Sequence, residues 1–573
     1  MRSRKNSVVV SCVLFMRMTL VFLVLTVMCA SVFAEESIAG NEENQTLAPQ
    51  PELSAVLTSL SQANLSQMPN LISAMEKLGL ESTDPDMHRI IMAIFQAQLA
   101  GNLYYRKNEK QLVVLRKLDS SYEVLDPLSQ KVLAFETKGQ LQKIRVNNRL
   151  RKNLNASLAR MTLLSPDVGL RLQAVDQLMT HSTDENLSLL KRARSNETDS
   201  TVREKMNIAL ALAALDSTDF ESKQQAIVTL AGSLEPLVKA KLEAKLAKDD
   251  QGHFVEPNKK LRAAMQQALT DIEFKRRVYA FIETLFFGLS LGSVLLLAAI
   301  GLSITFGVMG VINMAHGEMI MLGAYTTYVL QTLMPDAIGW ALVLSIPAAF
   351  VVSALVGIGI ERGIIRFLKG RPLETLLATF GLSLILQQAV RTVFSPLNRQ
   401  VVSPQWMSGA LHVNPVLSIT YGRLYVIVFS FLIFVLLLFI MKRTVLGLYV
   451  MAVSQNRDMA KAMGIRTEWV DAMTFGLGSG IAGMAGVALS QLTNVGPNLG
   501  QAYIIDSFMV VVFGGVGNLW GTLVGGLGLG VVNKFLEPMV GAVLAKILVL
   551  VAIILFIQKR PRGLFPQKGR VVE

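Results

Sequence analysis

Beyond Tyr279 the chain is a succession of apolar runs, each on the order of 20 residues long, joined by short loops whose charges are mostly basic. That pattern leaves few folds open. In hydrocarbon every backbone polar group needs an internal partner, so the runs are predicted to be membrane-spanning helices. A mean hydropathy of +0.44 over 573 residues agrees, yet 17% of the residues are charged, too many for a chain embedded throughout. The two properties belong to different parts of the chain, and the change falls near Arg277. The formal charge of +13 does not point to nucleic acid, because the basic residues form no block interleaved with aromatics.

Candidate spans lie near Ala280 to Thr305, Met314 to Leu333, Gly339 to Ile360, Leu373 to Phe394, Leu424 to Met441 and Val470 to Leu492. The third ends in Arg362, Arg366, Lys369 and Arg371, and the fifth in Lys442, Arg443, Arg457, Lys461 and Arg466, so both loops are placed in the cytoplasm. The loops Gln331 to Ala337 and Thr493 to Ala502 are nearly free of Lys and Arg, whereas Lys559 to Arg570 is basic and is also read as cytoplasmic. Parity then requires an odd number of crossings after Gln501. Three are favoured, broken around Gly514-Gly515 and Glu537-Pro538.

Three regions are delimited: a secretory signal at 1–34, an exported domain at 35–277 and a membrane domain at 278–573. Arg2, Arg4 and Lys5, the apolar stretch Leu20 to Met28 and the small-residue end at Ala34 are the marks of the signal. The only cysteines, Cys12 and Cys29, fall inside it, so the mature chain has no disulfide and no thiolate metal site. The exported domain is predicted to be mainly helical from spacings such as Ile90, Ile91, Ile94 and Phe95. A small β hairpin is expected from Leu112 to Leu115 and Val132 to Phe135. From Ser165 a basic-apolar-apolar pattern recurs as Arg171, Ala174, Leu178, then Arg203, Met206, Leu210, then Lys223, Ala226, Leu230. This resembles HEAT-type repeats, with uneven spacing. His88, His181 and His253 have no ligand-like spacing.

The membrane domain carries two Gly-rich stretches interrupted by polar residues, Phe306 to Glu318 and Phe513 to Gly521. Broken helices at matching places in two halves point to a solute pathway, with Asn313, His316, Glu318, Asn494, Asp506 and Asn518 as its candidate polar positions and Asn498 nearby. His316 and Glu318 are two residues apart and point in different directions on one helix, which excludes a chelating pair. A carboxylate at mid-membrane costs about 3 kcal/mol. Two readings of Glu318 stay open: contact with a solute, or hydrogen bonds to backbone freed by the glycines. Neutral amides both donate and accept, which suits a small uncharged solute. No catalytic set and no metal set is found.

In the loop Leu446 to Trp469, Ala452, Asn456, Met459 and Met463 share one side at helical spacing, with Ala460 and Gly464 adjacent; a short helix able to enter a groove on a cytoplasmic partner is predicted. The chain has no phosphate-binding loop of the Gly-x-x-x-x-Gly-Lys type.

GLSITFGVMGVINMAHGEMIMLGAY at 301–325, AVSQNRDMAKAMGI at 452–465 and VVFGGVGNLWGTLVGG at 511–526 resemble permeases of the branched-chain amino-acid type of ABC importer. NNRLRKNL at 147–154 and FLEPMVGAVLAKILVLVAIILFIQKRPRGLFPQ at the end look like the B-type permease of its urea-importing subfamily. The resemblance implies an all-α polytopic permease in a bacterial inner membrane, with its N-terminal domain periplasmic and its C-terminus cytoplasmic. It also implies a second permease, two cytoplasmic ATPases docked by the 452–464 helix, a periplasmic urea-binding protein, no cofactor on this chain, and ATP used by the partner subunits. The alternatives are import of branched-chain amino acids or short amides, and a passive urea channel.

Overall fold

The computed structural model describes residues 51–63, 67–81, 85–106, 111–117, 122–128, 132–136, 141–163, 165–180 and 183–565. The secretory signal expected at 1–34, with Cys12 and Cys29, lies outside them. The chain divides into two compact units between Arg276 and Arg277.

In the first unit, helices α1 (Pro51–Gln62), α2 (Met68–Glu81), α3 (Pro85–Ala100) and α4 (Asn148–Thr162) bury Leu53, Ile72, Met75, Ile91, Ile94, Phe95 and Leu154 in one core. The expected hairpin is corrected to a five-stranded antiparallel sheet of order β4-β3-β2-β1-β5, built from β1 (Leu103–Arg106), β2 (Leu112–Lys117), β3 (Tyr122–Leu125), β4 (Val132–Glu136) and β5 (Leu141–Lys143). The two apolar patches are both strands, but each pairs with β3 rather than with the other, as in Val114 opposite Leu125 and Val124 opposite Ala134. Strands of three or four residues, such as β3 and β5, are too short to show a period-2 pattern.

From Ser165 the unit is a stack of short helices: α5 (Val168–Thr180), α6 (Asp184–Asn196), α7 (Ser200–Ala214), α8 (Phe220–Leu230), α9 (Pro236–Leu246) and the first part of α10 (Lys259–Met309). Their recurring basic residue has a physical role. Asp167, Asp199, Asp219 and Asn258 each accept hydrogen bonds from backbone N–H groups at a helix start. Four residues beyond each cap stands Arg171, Arg203, Lys223 or Arg262. Arg171 forks onto Glu197 at 2.9 Å through both Nε and Nη2, and its Nη1 donates to the Ser165 and Pro166 carbonyls. Arg203 donates to the Glu197 carbonyl, Lys223 pairs with Glu256 at 2.7 Å, and Arg262 donates to the Glu256 and Pro257 carbonyls. Each turn is tied both to its own helix and to a neighbouring repeat. Ala174, Leu178, Met206, Ala226 and Leu230 lie in the shared core beneath.

The second unit contains the rest of α10, then α11 (His316–Leu333), α12 (Ile338–Gly363), α13 (Pro372–Phe394), α14 (Tyr421–Arg443), α15 (Val445–Gln455), α16 (Arg457–Ala462), α17 (Thr467–Ser490), α18 (Leu499–Gly514), α19 (Leu519–Val540) and α20 (Ala542–Lys559). A two-stranded sheet, β6 (Ala410–His412) with β7 (Ser418–Thr420), precedes α14. Seven helices are long and apolar enough to span a bilayer: α10, α12, α13, α14, α17, α19 and α20. The candidate span Met314 to Leu333 forms α11 but is not among the seven, because His316, Glu318 and Gln331 lower its hydropathy. Three helices follow Gln491, as expected, but the second break falls at Gly541 and not at Glu537-Pro538. Pro538 stays inside α19, which ends where Gly541 takes φ +83°.

Helix α17 is the axis of this unit, buried along almost its whole length. It approaches its neighbours at glycines: a methyl on Gly323 of α11 would overlap the Gly483 carbonyl of α17. Without a hydrophobic drive between helices in lipid, such close approach is what packing relies on.

Candidate functional site

Helix α10 ends at Gly310, whose φ of +70° turns the chain into a non-helical segment before α11 begins at His316. Asn313 is buried here and accepts from the Ala315 amide at 3.0 Å, while the Met314 amide donates to Thr379 Oγ1 at 3.2 Å. Thr379 stands seven residues into α13, about 10 Å along its axis, so the break sits well inside that span.

Across the break α13 presents polar residues at every fourth position: Thr375, Thr379, Ser383, Gln387 and Arg391. The first four are buried, although Leu373, Leu377 and Ile385 on other faces of the same helix are strongly exposed. Helical periodicity makes this a single stripe. Glu318, in the first turn of α11, faces it: Oε1 accepts from Ser383 Oγ and Gln387 Nε2, both at 2.8 Å. Its Oε2 is buried with no hydrogen-bond partner, and the same holds for the Tyr325 hydroxyl two turns along α11. Arg391 closes the stripe by donating to Asn498 at 2.7 Å. The arrangement offers a hydrogen-bonding track and one open carboxylate oxygen.

The other sequence candidates are dispersed. His316 is fully buried, but it turns to α10, where Nε2 meets the Ala298 carbonyl at 2.9 Å. Asp506 pairs with Lys546 of α20 at 3.0 Å. Asn518 caps α19 through the Trp520 and Gly521 amides and donates to the Phe565 carbonyl. Asn494 is an exposed loop residue. Only Glu318 and Asn313 lie at the α11–α13 junction. Sequence reasoning missed Thr379, Ser383 and Gln387, although their four-residue spacing within an apolar run was a usable signal. Among the described residues no three His, Cys, Asp or Glu side chains converge as a metal site requires.

The contacts also sort the loops. Gln331 and Val402 exchange two hydrogen bonds at 2.8 and 3.0 Å, and Arg399 and Val495 exchange two at 2.7 and 2.8 Å, joining 331, 395–402 and 495 on one face. Arg366 with Glu468 at 3.0 Å, and Arg457 and Lys369 with Asp471, join the basic loops on another. Within that group the single helix expected over 452–464 is corrected to two, because Asn456 leaves helical geometry and caps α16 through the Met459 amide. Met459 and Met463 stand out at 63% and 81% exposure, with Asn456 and Gly464 also exposed; Ala460 is buried and Ala452 half-buried, so those two do not share the exposed face.

The family description "Branched-chain amino acid transport system / permease component" matches residues 284–557. The high-affinity branched-chain amino acid transport system permease protein BraD of Pseudomonas aeruginosa is 30% identical over 50% of this chain and 96% of its own length. The permease protein LivH of Escherichia coli K12, of the same printed description, is 31% identical over 50% of this chain and 95% of its own length. A probable LivH of Methanocaldococcus jannaschii is 28% identical over 42% of this chain and 76% of its own length. No solved structure matches.

Proposed function

The chain belongs to the family of branched-chain amino acid transport system permease components, and from that premise we propose that it forms part of the path by which an ATP-driven importer carries urea across a bacterial inner membrane. It is a transport permease subunit and not an enzyme, and it is a multi-pass membrane protein. In this reading a periplasmic urea-binding protein delivers the solute, a second permease completes the path, and two cytoplasmic ATPases use the ATP. This chain binds no cofactor. The unit before Arg277 is periplasmic, the C-terminus is cytoplasmic, and Met459 and Met463 meet an ATPase.

The observation that carries the reading is the buried track of Thr379, Ser383 and Gln387 opposite Glu318 Oε2. A small planar amide has N–H donors for the open carboxylate oxygen and a carbonyl for hydroxyl and amide donors. The resemblance of the 147–154 and C-terminal segments to urea permeases selects urea within that class. A second reading, import of branched-chain amino acids, is favoured by the printed names of the relatives. It also draws support from Arg391, one turn from Gln387, which gives a zwitterion a cation on the same stripe as Glu318.

Uptake of labelled urea at micromolar concentration, with leucine in parallel, in cells with and without this gene separates the two. Loss of concentrative urea uptake with leucine spared is expected. Loss of leucine alone transfers the substrate assignment to the second reading.

A further inference from the structure

We propose that Asp471, gripped by Arg457 and Lys369, is a positioning residue that transmits movement of the α15–α16 loop to the helix break at Glu318. The inference rests on the ATP-driven import reading. Arg457 is the first residue of α16, and its guanidinium forks onto Asp471 with Nη1 to Oδ2 and Nη2 to Oδ1, both at 2.8 Å. Lys369, which follows the 3₁₀ turn after α12, bonds to Oδ2 as well. Three separate segments therefore meet on one carboxylate that is only 1% exposed. A forked pair fixes both distance and angle, unlike a single flexible surface pair.

What lies beyond Asp471 makes the grip mechanical. Asp471 sits near the start of α17, and along that helix Gly478 meets Gly301 of α10, Gly483 meets Gly323 of α11, and Gly486 meets Ile320 and Ala324 of α11. At these points backbone lies on backbone, with no side chain between to absorb a shift. From Asp471 to Gly486 is about 22 Å along a continuous helix. Ile320 is two residues from Glu318, whose Oε1 is tied to α13. A displacement of α16, where Met459 and Met463 are exposed, would move α17 as a rod and re-register α11 against the polar stripe. Arg366 with Glu468 is a looser tie beside the grip, more than a third exposed on both sides.

The test uses the complete complex, reconstituted with its ATPases and binding protein, carrying Asp471→Asn, Arg457→Lys or Lys369→Gln. Assembled complex, basal ATP hydrolysis, and uptake of whichever of urea and leucine the wild type carries are measured together. Asp471→Asn is expected to lower uptake about tenfold, and Arg457→Lys about threefold, with assembly and basal hydrolysis near wild type, so ATP spent per solute rises in that order. A residue that only holds the fold would lower uptake in proportion to assembled complex and leave the ratio unchanged. That result, or unchanged uptake, overturns the proposal. Arg457→Lys keeps the charge and loses the fork, so it decides the matter if Asp471→Asn does not assemble. A wild-type complex that moves neither solute defeats the import reading itself, and the coupling role falls with it; that failure is told apart because it appears without any substitution.

Discussion

The helical stack of residues 165–276 and the helical bundle beyond Arg277 solve the same packing problem by opposite means. In the stack, neighbouring helices are joined by what their side chains carry: Asp and Asn caps, the Arg171–Glu197 fork, and the Lys223–Glu256 pair. In the bundle, neighbours are joined where side chains are missing, as at Gly317 against Gly500 and Gly323 against Gly483. Water drives apolar faces together in the first case, so polar ties need only set register. Lipid gives no such drive in the second, so dispersion across closely approached backbones takes its place.

The sharpest way to break this contrast is to add one methyl group. Gly323→Ala places a Cβ on the Gly483 carbonyl, whereas Gly381→Ala on α13 has nothing within 4 Å. The first is expected to cost about 3 kcal/mol as the helices separate. The second should gain about 0.5 to 1 kcal/mol from reduced backbone entropy. Thermal unfolding of the detergent-solubilised chain checks both, and equal melting of the two variants would show that close approach is not what holds the bundle.

In the stack the matching change removes a side chain. Arg171→Ala abolishes two bonds to Glu197 and two to backbone carbonyls, for an expected loss of about 2 kcal/mol. Hydrogen exchange should accelerate in α5 to α7 and stay slow in α17. Unaltered exchange in α5 to α7 would reduce the fork to decoration.

These two modes differ in how plainly sequence records them. The repeat Arg171, Arg203, Lys223 was legible because each basic residue stands at fixed distance from an Asp cap, and the buried positions beneath follow the helical period. The spans were legible as apolar runs, and their basic ends agree with the way the loops group in space. The polar side of α13 was not read, because Thr, Ser and Gln within an apolar run lower hydropathy only slightly. What makes them a track is a partner 65 residues away, Glu318. His316 and Asp506 stood out by residue type in the sequence, yet one is spent on the Ala298 carbonyl and the other on Lys546. The split at Asn456 was hidden for a similar reason: the apolar spacing runs on through it, while its side chain prefers to cap the next helix.

Acid is a milder probe of the same difference. Burial pushes the Glu197 carboxyl up, but the Asp199 and Thr198 amides and Arg171 outweigh it and hold it below its ordinary value of 4.5. Burial of Glu256 is likewise outweighed by Lys223 and the Asn258 amide. A carboxyl depressed in the folded state contributes stability that is complete above its unfolded value and lost as pH falls through the folded one. Between pH 7 and pH 5 exchange in α5 to α9 should therefore be constant, and below about pH 4 it should accelerate. The glycine contacts of α17 carry no titrating group, so its exchange, corrected for intrinsic rate, should hold. Acceleration confined to α17 would reverse the assignment of the two modes.

The smallest expected effect comes from placing one substitution in both regions. Asn147 caps α4 by accepting from the Leu150 amide at 2.7 Å, and Asn518 caps α19 through two amides. Alanine at either should cost about 1 kcal/mol. Asn147 is exposed, so water replaces the lost acceptor and the damage stays at the first turn of α4. Asn518 also donates to the Phe565 carbonyl, beside the bonds from the Leu564 and Phe565 amides to Phe513 and Gly514. Asn518→Ala should therefore raise exchange at Leu564 and Phe565, 46 and 47 residues away in sequence, while Asn147→Ala has no such distant echo. If both variants stay local, Asn518 is only a cap, and the C-terminal segment is held to the end of α18 by its backbone alone.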